Sequence, residues 1–316
     1  MPRAWRRRKK DRFPLRARQQ TPANVTLPTE QPNPASTEID ALGISEILRT
    51  IQAQDAAVPA AVASELPNIS KAVEAVVRAL RRGGRLIYVG AGTSGRLGVM
   101  DAAECPPTFG ISTKTVQAVI AGGDRALTRA VENAEDDADA GRRDMATRKV
   151  GPRDVVVGLA ASGRTPYTIA ALRYARSRRA ATIAITCNPG SPITREARIS
   201  IVPATGAEVV AGSTRMKAAL AQKMVLHMIS TAAMIRLGHV YRGYMVGVRP
   251  SNNKLIERAC AIIEEITGVD HSIAARTLRQ ANKDVKLAVT MLRTGRDRSA
   301  AARLLVRARG NLRAIP

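Results

Sequence analysis

The sequence predicts an α/β protein: a mostly parallel, five-stranded sheet between two helical layers, a three-layer α/β/α sandwich, followed by a small helical C-terminal domain. Three observations predict it. Short apolar runs of strand length recur through the middle of the 316-residue chain with helical stretches between them, the pattern of a parallel sheet whose crossovers are helices. Turns rich in glycine and hydroxyl residues stand where those runs give way to helices. Beyond Pro250 only helical periodicity continues, punctuated near Gly268, Gly295 and Gly310.

Taken in order, residues 1–20 hold nine Arg or Lys against Asp11 alone, and the next stretch is rich in Pro, Thr, Asn and Gln. Residues 1–36 therefore read as a basic, disordered tail, with order beginning near Thr37. The basic start resembles the first part of a secretory signal, but Phe13 to Pro28 holds no apolar run, so a cytoplasmic protein is expected. From Ile39 to Leu80 two or three helices are predicted, with Leu42, Ile44, Ile47, Leu48 and Ile51 on one face and Ala72, Val73, Val76, Val77 and Leu80 on another. Strands are predicted at Leu86 to Val89, Val116 to Ile120, Asp154 to Ala160, Ala181 to Thr186 and Ile199 to Pro203. Residues 216–237 are apolar enough to suggest a membrane span, but Lys217, Lys223, His227 and Arg236 interrupt them, so a buried core helix is expected. The main domain is bounded at 37–248 and the helical domain at 249–316.

The formal charge of +24 invites a nucleic-acid partner, yet only 3% of residues are aromatic, a poor supply for base stacking; an Arg- and Ala-rich composition accounts for much of the excess. Cys105, Cys187 and Cys260 are too scattered for a disulfide framework. His227, His239 and His271 form no metal-ligand spacing with them, and no metal is expected.

Gly90-Ala91-Gly92-Thr93-Ser94-Gly95 follows the first strand and formally matches a dinucleotide fingerprint. The test fails at the next strand, which runs into Ala121-Gly122-Gly123 where a ribose-binding acid is needed. A P-loop lysine is absent as well. What remains is a turn whose free N–H groups and two hydroxyls suit a compact phosphate monoester, with Gly92, Thr93, Ser94 and Gly95 as candidates. The device recurs at Ser162-Gly163-Arg164-Thr165 after the third strand and at Ser213-Thr214 before the long apolar helix. Such turns converge on the usual ligand crevice of an open α/β sheet, and phosphate or sugar ligation is expected over structural turns. Arg164 is either a phosphate clamp or a solvated surface residue.

Glu104 lies among Ala102, Ala103 and Cys105, directly before Pro106 and Pro107, which are expected to stop a helix. It reads either as a desolvated acid or as a helix-terminal surface glutamate, and spacing alone favours the latter. Glu132, Glu135, Asp136, Asp137 and Asp139 form an acidic run, read as a solvated helix face from which spacing selects no single acid.

The segment from Leu86 to Gly110, with Gly-Ala-Gly-Thr-Ser-Gly-Arg-Leu-Gly and Asp-Ala-Ala-Glu-Cys-Pro-Pro-Thr-Phe-Gly, resembles the signature of the N-acetylmuramic acid 6-phosphate etherases, within the sugar isomerase (SIS) superfamily. Ala121-Gly122-Gly123, residues 131–137, Ala160 to Tyr167, Cys187-Asn188-Pro189-Gly190-Ser191 and Gly206 to Val210 share that resemblance. It implies a homodimeric SIS-domain enzyme that cleaves the lactyl ether of N-acetylmuramic acid 6-phosphate without a cofactor, in peptidoglycan salvage. It further implies that Glu104 protonates the leaving lactate, that Glu135 is the second catalytic acid, acting as base at carbon 2, and that the hydroxyl turns hold phosphate and sugar.

One straight helix from Ser94 to Glu104 would separate them by roughly 15 Å. Either the helix ends early, or the site lies near a subunit interface and a partner contributes. The chain departs from the family pattern at Ala219 and Leu220 (usually Gly-Thr), His227 (usually Asn), Gly247 (usually Asp) and Asn133 (usually Gly, read here as a conservative change on a helix). Those departures keep open a non-catalytic sugar-phosphate sensor on the same fold, and an aldose–ketose isomerase is a third reading.

Overall fold

The computed structural model describes residues 27–248, 250 and 252–315. Helices α1 (Ile44–Asp55), α2 (Val58–Ala63) and α3 (Leu66–Arg81) precede the sheet. Then come β1 (Leu86–Gly90), α4 (Gly92–Phe109), β2 (Val116–Ile120), α5 (Arg125–Thr128), α6 (Ala138–Thr147), β3 (Val155–Leu159), α7 (Pro166–Ser177), β4 (Ala181–Ile185), β5 (Ile199–Ile201) and α8 (Lys217–Arg236). Helices α9 (Asn253–Thr267), α10 (His271–Gln280), α11 (Val285–Thr294) and α12 (Arg298–Arg307) close the chain. The sheet is wholly parallel in the order β2-β1-β3-β4-β5, with Leu86 in register with both Val116 and Val155.

Alternation along the buried strands sorts the helices into layers, because successive side chains leave a strand on opposite faces. Leu86, Tyr88, Val155, Val157, Leu159, Ile183 and Ile185 face one side and pack with α2, α3, α4 and α8. Ile87, Val89, Val156 and Ala184 face the other and meet Met145 of α6 and Tyr167, Ala171 and Leu172 of α7. The helix α8 is long and apolar enough to cross a membrane, yet it is a core helix here, with Ala218, Ala221, Val225, Leu226, Ile229, Ala233 and Met234 fully buried. A second core joins α9–α12 and also takes Tyr241, Val246 and Val248. Gly268 and Gly295 end α9 and α11 in the left-handed conformation, as helix-terminal glycines do.

Three expectations need correction. Pro106 and Pro107 do not stop α4, which runs to Phe109 and ends at left-handed Gly110. The prolines leave the carbonyls of Ala102 and Ala103 without their usual donors. Cys105 and Phe109, both buried in the core, hold the last turn in place against that loss. The acidic run is not a helix face: residues 132–136 form turns, and α6 starts only after Asp137, whose carboxylate accepts the Ala140 N–H at 2.7 Å as an N-cap. Residues 27–36, placed in the tail by composition, are an ordered strap with two short 3₁₀ turns. Its Leu27, Thr29 and Asn33 are buried. The remainder of the predicted tail, residues 1–26, lies outside the described residues.

At the amino edge of the sheet Asp154 binds the start of β1 to the start of β3. Its Oδ1 accepts from Arg85 N–H and Nε, both at 3.0 Å, and its Oδ2 from an Arg85 terminal nitrogen at 2.7 Å and from Gly151 N–H at 3.0 Å. Burial alone would raise the Asp154 pKa, but the Arg85 and Gly151 hydrogen bonds outweigh it and hold the carboxyl below its ordinary value. Its stabilising contribution is therefore present above the unfolded-state pKa of about 3.9 and disappears as pH falls through the lower folded value. Asp154→Asn is expected to cost about 2 kcal/mol in urea unfolding at neutral pH, with the gap from wild type closing in acid; a gap independent of pH would contradict this.

Candidate functional site

In a sheet ordered 2-1-3 the crevice opens where the chain leaves β1 to one side and β3 to the other, beyond the carboxyl ends of those strands. The first two hydroxyl turns sit there. α4 comes unusually close to β1: a Cβ on Gly90 would lie 2.9 Å from the Leu159 carbonyl oxygen, and one on Gly95 would lie 2.7 Å from Ile120 Cγ1. Gly92 takes φ +51° at the turn itself. The Gly95 N–H is already bonded to the Ala91 carbonyl at 3.0 Å, so the Gly92, Thr93 and Ser94 N–H groups stand ahead of the helix's own acceptors. No acidic residue occupies that first turn, and Ser94 is buried. The positive end of α4 is thus open to an anion.

The second turn is braced from behind. Gly163, at φ +68°, passes so close to β4's exit loop that a Cβ there would sit 2.0 Å from Ser191 Oγ. The Thr186 hydroxyl donates to the Ala161 carbonyl at 3.1 Å, and Asn188 Nδ2 donates to the same oxygen at 3.0 Å. Asn188 also donates to Thr29 Oγ1 at 2.9 Å and accepts the Thr29 N–H at 3.3 Å, so the strap is keyed into the turn's support. Ser162 and Thr165 are half-buried and Arg164 is exposed. Thr165 stands at the N-cap of α7 without using its side chain to cap it.

The third turn differs. The buried Glu208 carboxylate accepts the N–H groups of Lys217 and Ala218 at 3.0 and 2.9 Å and so fills the N-terminus of α8 from within. Ser213 and Thr214 lie in the segment between β5 and α8, tied to the crevice through the strap by a Gly212 N–H bond to the Thr29 carbonyl at 3.2 Å.

The two acids also part company. The Glu135 carbonyl accepts the Tyr167 N–H at 3.0 Å, which seats this residue beside the first turn of α7 and the Ser162–Thr165 loop. Glu104 is exposed on α4, one helical turn beyond Met100, and the helix between it and Ser94 is unbroken. An early helix end is thereby excluded, and one chain holds Glu104 roughly 15 Å along the helix from the cradle. Asp101, on the buried side of α4, accepts from the Tyr88 hydroxyl at 2.8 Å and from the Ser230 hydroxyl at 3.2 Å, fixing the helix to β1 and α8. Among the described residues no group of three or more His, Cys, Asp or Glu side chains is arranged to hold a metal.

Asn188, Ser191 and Glu208 fall within motifs that carry the family resemblance but receive no role from the sequence, and Thr29 is not singled out by it at all. Asn188 and Ser191 stand at the carboxyl end of a predicted strand, a positional signal that was available. Thr29 carries none, because it sits in a segment whose composition resembles a linker.

Curated relatives cover nearly the whole chain. The N-acetylmuramic acid 6-phosphate etherases of Salmonella enteritidis PT4 and Salmonella typhi are each 50% identical to it over 289 residues, 92% of this chain and 97% of theirs. The chain belongs to the N-acetylmuramic acid 6-phosphate etherase family. Residues 68–176 match the glucokinase regulatory protein N-terminal SIS domain, and residues 126–232 match the SIS domain. A solved phosphoheptose isomerase from Francisella tularensis is 18% identical with a TM-score of 0.47, covering 62% of this chain and 98% of that one.

The departures from the etherase pattern acquire physical meaning in this fold. Asn133 has φ +60°, so the change from the family's glycine is not on a helix but at a left-handed turn position, where asparagine is among the best-tolerated replacements. At Gly247 a Cβ would fall 2.3 Å from the Phe109 carbonyl oxygen, so the family's aspartate does not fit this backbone. Ala219 is buried in α8, whereas Leu220 and His227 are exposed on it.

Burial first, then the nearby Asp101 charge, pushes the Cys105 thiol up to about 12; burial and the Glu208 charge push Cys187 up to about 12. At pH 8 roughly one such thiol in ten thousand is ionised. Iodoacetamide is expected to leave Cys105 and Cys187 unmodified in the native protein and to label both after denaturation; rapid native labelling would refute the packing beneath Glu104. Asn188→Ala strands the Ala161 and Thr29 partners and is expected to weaken sugar-phosphate binding by roughly tenfold while costing about 1–3 kcal/mol of stability, read by calorimetric titration and urea unfolding.

Proposed function

We propose that the chain cleaves the lactyl ether of N-acetylmuramic acid 6-phosphate with water, giving N-acetylglucosamine 6-phosphate and D-lactate. The observation that carries this reading is the 50% identity to etherases across 92% of the chain, within which both acids, Glu104 and Glu135, are present. The chemistry needs them. Opening of the sugar ring exposes an aldehyde that acidifies the carbon 2 proton. One carboxylate takes that proton while another protonates the ether oxygen at carbon 3 as lactate departs. Water then adds across the double bond and the ring closes. Each positioned proton transfer contributes on the order of 100- to 10,000-fold in rate.

In this reading the Gly92, Thr93 and Ser94 amides and the Thr93 and Ser94 hydroxyls, set close to β1 by Gly95, receive the phosphate and sugar with Ser162, Gly163, Arg164 and Thr165, and Ser213 and Thr214 border them. Glu135 is the base at carbon 2. Glu104 is the acid for the leaving group and comes from the partner of a homodimer. Two features support the shared site: the unbroken α4 separates cradle from acid within one chain, and large apolar side chains are left bare near that face and on α1. Met100 is 41% exposed, Ile44 79% and Leu48 61%. A phosphorylated sugar does not cross a membrane unaided, which supports a cytoplasmic reaction. A non-catalytic sugar-phosphate sensor is the second reading, favoured by the match of residues 68–176 to the glucokinase regulatory protein domain.

Turnover in deuterated water is expected to release lactate and to place deuterium at carbon 2 of the sugar. Substrate binding with neither lactate nor exchange would support the sensor. Glu104→Gln and Glu135→Gln are each expected to lower kcat by about 100-fold or more. Mixed and reassociated, the two variants should recover about a quarter of wild-type activity, because half of the dimers then hold one intact shared site. No recovery on mixing would place both acids in one chain.

A further inference from the structure

A cavity of about 590 Å³ opens where the end of α4 meets residues 239–248, the α10–α11 turn and the start of α12. It contains none of the residues assigned to the sheet-edge crevice. Its charged lining is Lys283, Lys286, Arg298 and His239 against Asp284 alone, and Asp284 is already engaged, accepting the Leu287 N–H at 3.0 Å as the N-cap of α11. Lys286 is half-buried, and among the described residues its Nζ has no hydrogen bond or salt bridge. The turn that carries this lining holds two successive non-glycine residues in the left-handed region, Asn282 at φ +52° and Lys283 at φ +61°. Such conformations cost free energy and persist where the surroundings enforce them. One wall is the last turn of α4 itself: His239 Nδ1 lies 2.8 Å from the Phe109 carbonyl oxygen.

We propose that this cavity is a second anion site, taking the phosphate group of a small molecule between the two domains and bearing through His239 on the helix that carries Glu104. A half-buried lysine without a partner is unfavourable in the empty protein and becomes favourable once an anion sits against it. The protonation chemistry agrees. Burial holds the Lys286 pKa below its ordinary value, with Asp284 pulling the other way. Burial and then the Lys286 charge hold His239 down, opposed by the Phe109 carbonyl. Lys283 and Arg298 add further positive charge to the same space. A bound dianion opposes both of those biases.

The full-length protein is titrated calorimetrically with inorganic phosphate and, separately, with glucose 6-phosphate, in about 0.3 M NaCl to screen diffuse binding to the basic surface. The expected result is a phosphate site per chain that survives Ser94→Ala and is weakened roughly tenfold or more by Lys286→Met and by Arg298→Ala. Arg298 is exposed at the start of α12, so its truncation tests the site without burdening the fold. Equal affinity for both probes assigns recognition to the phosphate group, and tighter glucose 6-phosphate binding extends it to the sugar. A single class of site abolished by Ser94→Ala, or binding indifferent to both cavity variants, overturns the proposal.

Discussion

The close approach of α4 to the end of β1 is the constraint from which the rest of the crevice follows. It exists only because Gly90 and Gly95 lack side chains where Leu159, Ile120 and the facing backbone leave no room. A helix drawn in this tightly presents its first amides at the switch point of the sheet, with Gly92 turning the chain at positive φ. The same helix then passes Asp101 over Tyr88 and Ser230, buries Cys105 and Phe109, and leaves Glu104 on its outer side. Cradle and acid are thus two points on one rigid rod.

Electrostatics distinguish helix ends that look alike in the sequence. Both α4 and α8 follow glycine- and hydroxyl-rich turns, but α8 is neutralised by Glu208, an anion supplied by the protein itself. α4 has no acidic residue in its first turn. A helix N-terminus without an internal anion is the one suited to an external anion.

The strands were legible because burial on both faces of a parallel sheet demands short apolar runs of the kind seen at Val155–Leu159. The glycines of the first crevice turn were legible for a similar reason, since few other residues permit such geometry. What stayed hidden was decided at long range. Pro106 and Pro107 continue a helix because core packing of Cys105 and Phe109 outweighs the lost backbone bonds. Asn133 marks a turn where an acidic run suggested a helix. The separation of Glu104 from the cradle follows from helix length, which the prolines after Glu104 had masked.

The strap reaches its place from far away. Thr29 meets Asn188 across 159 residues of sequence, and Asn33 Nδ2 reaches the Ala207 carbonyl at 3.0 Å. During synthesis Asn188 and Ala207 emerge long after Thr29 and Asn33, and after β1 and α4 have left the ribosome, and the entropy of closing so long a loop has to be overcome before any of the bonds can form. Helices, whose contacts are local, have no such delay, whereas parallel pairings such as Leu86 with Val155 are themselves long-range. The order of assembly follows: helices form first, and the second crevice turn receives its final support only when the strap comes back to the exit loop of β4, made 159 residues later.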